Sequence, residues 1–215
     1  AGIWRNDNAT DNQAATDYDK KWIPGQWKVP EAYDNPASND PWYFSAIREA
    51  NYFLETVVPR FEKGEIEGSE TNIKHYIGEM YFLRAKNYLS KLETFGDFPI
   101  IKNTLPDESA SLIQASKRDP RHKVARFILE DLDLAIGLLT NTISGGKNRI
   151  TQNAALLLKS RAALYEASWL TYHKGTALVP GGPGWPGKAE DIADFNIDTE
   201  IAFFLKEAKA AAKEV

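Results

Sequence analysis

The 215-residue chain has no cysteine, a single methionine and no excess of basic residues. Without cysteine there is no disulfide framework, no thiol nucleophile and no thiolate-ligated zinc. Lys and Arg total 26 against 30 Asp and Glu, a formal net charge of -4. Nucleic-acid binding rests on phosphate neutralisation by clustered Lys and Arg, and no basic stripe runs through this sequence. No apolar stretch approaches the roughly 20 residues that a membrane-spanning helix needs. No secretory leader is visible, and the opening "AGIWRNDN" reads as mature sequence or an internal cut. What is abundant is apolar and aromatic material, 43% hydrophobic with six Trp, nine Tyr and ten Phe, enough for a substantial core.

The organisation changes along the chain. Residues 1–40 are polar and rich in Asn, Asp, Pro and Gly, with Trp4, Trp22 and Trp27 scattered among them, and read as an irregular segment. From Pro41 the apolar residues fall into helical spacing. Ile47, Ala50, Leu54, Val57 and Phe61 form one stripe, which Pro59 is expected to end or bend. A second helix is expected from about Thr71, with Ile73, Tyr76, Ile77, Met80, Leu83, Tyr88 and Leu92 facing inward. Gly96 suits a turn past its last residue, and Pro99 forbids resumption, so "FPII" runs extended. Residues 41–99 thus read as a first helix hairpin.

A loop at 102–117 leads to Asp119 as N-cap and Pro120 as first helical residue of a helix carrying Val124, Phe127, Ile128, Leu132, Ala135 and Leu139. "SGGKN" turns the chain, and Thr151 caps a fourth long helix with Ala154, Leu158, Ala162, Tyr165 and Trp169. Residues 118–175 read as a second hairpin, followed by a Gly/Pro-rich loop at 176–198 around "PGGPGWPGK". A further helix at 199–215, with Asp198 and Thr199 as caps, runs to the last residue without a stop signal, and is expected to be cut from something longer.

"RAKNY" at Arg84–Tyr88 and "RAALY" at Arg161–Tyr165 occupy equivalent places in the two hairpins. In each, a small Ala admits a neighbouring backbone and a Tyr fills space one turn later. The fold expected is all-α, built of tetratricopeptide-like helix hairpins with long irregular loops.

Four segments carry a closer resemblance: "AIREANYFLETV", "EMYFLRAKNYLSKLETFGDFPII", "RDPRHKVARFILEDLDLAIGLL" and "NRITQNAALLLKSRAALYEASW". Their order and spacing resemble the SusD/RagB family, with its Ile-x-x-x-Asn helix, its Glu-x-x-Phe-Leu-Arg-Ala helix ending in Phe-Gly-Asp-x-Pro, its Asp-Leu-x-x-Ala helix and its Ala-rich helix ending near Trp. The resemblance covers about residues 41–175. It implies a SusD-like all-α fold and an outer-membrane, surface-exposed lipoprotein without enzymatic activity. Such proteins capture oligosaccharides, sometimes peptides, as lids over a SusC-type TonB-dependent transporter. The family's lipidated cysteine has no counterpart here, so the membrane anchor would lie upstream of Ala1. Members are typically more than twice this length, and their later half supplies part of the ligand site.

Sugar recognition needs flat aromatic faces for apolar ring surfaces, and amides or charges for hydroxyls. In the family a segment upstream of the Ile-x-x-x-Asn helix supplies such contacts. The nearest match is "IWRNDN", with Trp4 as platform and Arg5, Asn6 and Asn8 as hydrogen-bonding partners; Trp22 and Trp27 are rival platforms. The alternative for each Trp is packing of the segment onto the helices. Trp42 and Trp169 read as packing residues, while Trp185 reads as exposed, either against a partner or pinning its own loop. Arg84 and Glu79 read as salt-bridged or solvated, and Asn51 as bonding backbone at a helix seam.

No metal site or cofactor is expected. His75, His122 and His173 lack His-Glu-x-x-His spacing, and the oxygen-rich "NDNATDNQAATDYD" lacks the glycine and terminal Glu of an EF-hand. A protein-interaction or peptide-binding scaffold of tetratricopeptide-like repeats is the alternative function. Glycoside hydrolysis, which needs two carboxylates about 5–9 Å apart across a cleft, has no recognisable pair in the sequence.

Overall fold

The computed structural model describes residues 42–142 and 148–215. Five long helices dominate it: α1 (Ser45–Glu62), α2 (Glu70–Phe95), α4 (Arg121–Leu138), α5 (Gln152–Tyr172) and α6 (Ile197–Lys213), with a short α3 (Ser109–Ala115) between α2 and α4. Each long helix packs on the next, in the order α1, α2, α4, α5, α6. This is the all-α arrangement of stacked helix hairpins.

Side-chain caps set several starts. The Ser69 hydroxyl accepts from the Asn72 N–H, the Thr151 hydroxyl from Ala154, and the Asn196 carbonyl from Thr199. Asn196, rather than Asp198 or Thr199, is therefore the cap of α6. Pro59 does not end α1, which continues to Glu62. A proline in the last turn forfeits one intrahelical bond near an end already short of partners, so the helix survives it. The 102–117 connection is not all loop, since α3 forms within it.

The helix faces follow burial more closely than the apolar letters did. On α2, Tyr76 and Leu83 are exposed, and their expected inward positions go instead to His75, Gly78, Arg84, Ala85 and Leu89. On α5 the buried line is Ala155, Leu156, Lys159, Ala162, Ala163, Glu166, Ala167 and Leu170. Small side chains here let α4 and α6 approach from two sides. The centre is α4, whose Val124, Ile128, Leu132 and Ala135 have no solvent exposure.

Phe-Gly-Asp-Phe-Pro forms a turn and a clamp. Gly96 takes a positive φ of 70° after Phe95, a conformation that L side chains resist. The chain then runs extended, and Phe98 exchanges backbone hydrogen bonds with Asp119, 3.1 Å and 3.2 Å, as an isolated antiparallel bridge. Asp119 is therefore not the cap of α4. Its carboxylate accepts from the Ile100 N–H (3.0 Å), and Asp97 accepts from the Arg121 N–H (2.8 Å) at the helix start. Phe98 anchors an aromatic cluster, with Trp42 at 4.9 Å, Phe44 at 5.0 Å and Tyr88 at 6.2 Å between ring centroids. The Tyr88 hydroxyl donates to the Ile101 carbonyl and accepts from its N–H. Burial raises that phenol's pKa to about 12.

Candidate functional site

Buried charge holds the helices in register. Arg84 meets Asp131 with two 2.7 Å bonds, through Nε and Nη2, and its Nη1 donates to the Asn51 side-chain carbonyl at 2.9 Å. Asn51 in turn donates to the backbone carbonyls of Ile101 (2.8 Å) and Asn103 (3.3 Å). The chain leaving α2 is thus tied to α1, α2 and α4 together. A second fork joins α4 to α5: Arg121 binds Glu166 at 2.8 Å and 3.0 Å, and its guanidinium lies 4.2 Å from the Trp169 ring centroid. Burial pushes the Asp131 and Glu166 acids up, while the paired guanidinium opposes the shift in each case. A bidentate fork satisfies both oxygens at once, which is what makes such burial tolerable. These groups are structural, as the sequence suggested for Arg84 and Asn51. Glu79 is likewise engaged, by Arg149 and by the Ile150 N–H.

Beside this network, at the start of α1, lies a cleft of about 300 Å³. Trp42, Phe44, Arg48, Asn51, Asn103 and Thr104 contribute to its lining. Its aromatic wall is fixed by the Phe98 cluster. Glu55 grips Thr104, whose N–H donates to the carboxylate at 2.9 Å and whose hydroxyl donates to the other oxygen. Those two bonds hold the Glu55 acid below its ordinary range. Arg48 is exposed, its backbone N–H donates to the Phe44 carbonyl at 2.8 Å, and its charge helps to hold the Glu55 acid down. An aromatic wall next to an exposed guanidinium suits a ligand with both apolar faces and hydroxyls.

The six sequence-derived ligand candidates, Trp4, Arg5, Asn6, Asn8, Trp22 and Trp27, lie outside the described residues, as does the "NDNATDNQAATDYD" stretch. The turn expected at "SGGKN" falls almost wholly outside them too. Trp42 packs as expected, yet the same ring walls the cleft, and Phe44, Arg48, Asn103 and Thr104 were not singled out by sequence. The only local hint was the Trp-Tyr-Phe run at the foot of α1. Among the described residues no cluster of metal-ligating side chains forms, and no helix is long and apolar enough to cross a membrane.

Trp185 is half-buried rather than exposed. Its indole N–H donates to the second Asp97 oxygen at 2.8 Å, so the Gly/Pro-rich loop is pinned to the Phe-Gly-Asp-Phe-Pro turn. Asp97, with both oxygens occupied, has its acid raised by burial against those bonds.

Comparison with known proteins places this arrangement. Residues 3–164 match the model of a SusD-like family described as starch-binding and associating with the outer membrane. A SusD-like protein of Formosa agariphila is 29% identical over 167 residues, which are 77% of this chain and 28% of the relative. The chain therefore spans under a third of that curated relative's length. Among solved structures, a SusD-like protein of Bacteroides fragilis is 29% identical with a TM-score of 0.51, covering 62% of this chain and 25% of its own. Another, described as a laminarin-binding SusD-like protein, is 24% identical with a TM-score of 0.46, over 63% and 28% of the two chains. The match takes in residues 3–164, well over half of the chain, and the chain belongs to the SusD-like family.

Proposed function

We propose that this chain is part of a non-catalytic cell-surface protein that captures oligosaccharides and passes them to a SusC-type TonB-dependent transporter. A lipid anchor outside this chain would hold it at the outer membrane. The family match over residues 3–164 is the observation that carries the reading. It takes in the segment with Trp4, Arg5, Asn6, Asn8, Trp22 and Trp27 as well as the cleft of Trp42, Phe44 and Arg48. Stacking on an indole and hydrogen bonds from amides and a guanidinium are the chemistry a glycan requires. Because no charge develops on a merely bound sugar, such a site needs no activated acid or base.

The test is isothermal titration of the full-length protein against malto-oligosaccharides and oligosaccharides of other linkages. Saturable heat from at least one of them is expected, and Trp4→Ala should reduce it. Silence across the panel would overturn the reading.

One observation favours a second reading, a peptide-binding or protein-interaction scaffold. A cleft of about 360 Å³ between α1, α2 and α4 is lined by Val58, Phe61, Tyr81, Leu134 and Leu138, with Glu62 and Asp133 at its edge. Recovery of a partner protein that protects this cleft from exchange, with no glycan binding, would favour the scaffold.

A further inference from the structure

Trp185 is committed through its N–H, but its ring is a wall. It contributes to two clefts, of about 330 Å³ and 340 Å³, whose linings share no residue with the Trp42 cleft. Both volumes fall in the range of small-molecule sites. We infer that these two clefts form a further saccharide-contact site, with the Trp185 indole as stacking platform and Arg118 as hydrogen-bond donor.

Three features carry this. First, the platform is rigid. The indole is tied to Asp97 at one end, and a Cβ on Gly187 would fall 2.1–2.2 Å from its six-membered ring, so the loop is folded tightly onto it. A preorganised aromatic loses little freedom when a ligand stacks on it. Second, a guanidinium stands beside the ring, close enough to Asp97 to lower its acid. Arg118 lines both clefts, is exposed and makes no hydrogen bond among the described residues, while its guanidinium rests 4.9 Å from the Trp42 ring centroid. Arg118 thereby sits between the first cleft's aromatic wall and Trp185. Lys117, by contrast, is consumed by Asp191 at 2.6 Å. Third, the charge is mixed. Glu93 and Asp191 share these walls with Arg118 and Lys188, which disfavours a strongly anionic ligand and suits a neutral, hydroxyl-rich one. Phe95 and Leu178 add apolar surface for sugar C–H groups.

This inference rests on the saccharide reading above, and one experiment separates their failures. The six Trp indole N–H signals of the full chain are followed by nitrogen-15 NMR during titration with maltohexaose, laminarihexaose and xylohexaose, Trp185 being assigned with Trp185→Phe. The Trp185 signal should move saturably with at least one sugar. Trp185→Ala should weaken binding of that sugar about tenfold, consistent with loss of one aromatic contact. Arg118→Ala should weaken it several-fold. Trp185→Phe, which keeps a ring and loses the Asp97 bond, should retain most affinity, a split that simple loop unpinning would not give. Movement of other indoles with Trp185 unmoved overturns this inference and leaves the saccharide reading standing. No movement of any indole and no heat from any sugar overturns both.

Discussion

Arg84 and Arg161 open the same Arg-Ala pair on two helices, and they live in opposite surroundings. Arg84 is buried and forks onto Asp131, while Arg161 faces solvent. The alanines behave alike, with Ala85, Ala162 and Ala163 all buried at helix seams. The tyrosines diverge again. Tyr88 is fully buried and bonded to Ile101, whereas Tyr165 is only partly covered, 6.1 Å from Trp169. In the second hairpin the work of Arg84 passes to Arg121, which reaches across from α4 to Glu166 on α5. The α2–α4 and α4–α5 seams therefore share close helix approach and one buried ion pair each, but not the position that supplies the cation.

The largest effect should come from splitting the two arginines. Arg84→Met leaves Asp131 buried without its partner and should cost about 3–5 kcal/mol, whereas Arg161→Met should stay within about 0.5 kcal/mol, both read by urea unfolding. Equal losses would break the comparison. Glu166→Ala should cost about as much as Arg84→Met, yet the double variant Arg121→Leu with Glu166→Leu should recover much of that loss, because no uncompensated charge remains. A double loss equal to the sum of the singles would show that the two side chains act independently.

Acid should act on the α4–α5–α6 side through His122. That imidazole is buried against Phe195, 4.6 Å between centroids, with Glu200, Lys123, Arg126 and Asp194 around it. Burial pushes its pKa down to about 4, so the unfolded chain takes up a proton below its ordinary value while the folded chain does not. Stability from this group is then lost as pH falls from about 6.5 toward 4, by up to about 3 kcal/mol. His122→Phe should flatten that part of the pH profile relative to the parent. The buried Asp131 and Glu166, with acids raised, act with the opposite sign, so only this difference between variants isolates the imidazole. Smaller still, Ala85→Leu and Ala163→Leu should each cost about 1–3 kcal/mol by overpacking. If only one did, the two seams would not share the close approach inferred for them.

The helical frame was legible because its signals are local. Thr151 caps its helix in place, Gly96 and Pro99 stop one, and the alternation of three and four along α4 marks its buried face. What could not be read from neighbours in sequence was set by distant ones. Asp97 takes over the capping of α4 from Asp119 across the Phe98 bridge, and Tyr76 and Leu83 are exposed because the seam turned toward His75, Gly78 and Arg84. Charged letters hid the most, since Asp131, Lys159 and Glu166 occupy core positions that periodicity assigns to apolar residues. The cleft beside Trp42 depends on residues about fifty positions apart, Arg48 and Asn103, which no spacing rule connects. The motif resemblance did identify the family, because four linked segments constrain far more than one.

Native mass spectrometry of the full-length protein after incubation with malto-oligosaccharides, with the free sugar recovered and sized, tests the capture account most directly. The account predicts a saturable complex at the mass of protein plus one intact oligosaccharide, and unshortened sugar in solution. Absence of any complex with these or other glycans, or the appearance of shortened products, would contradict it.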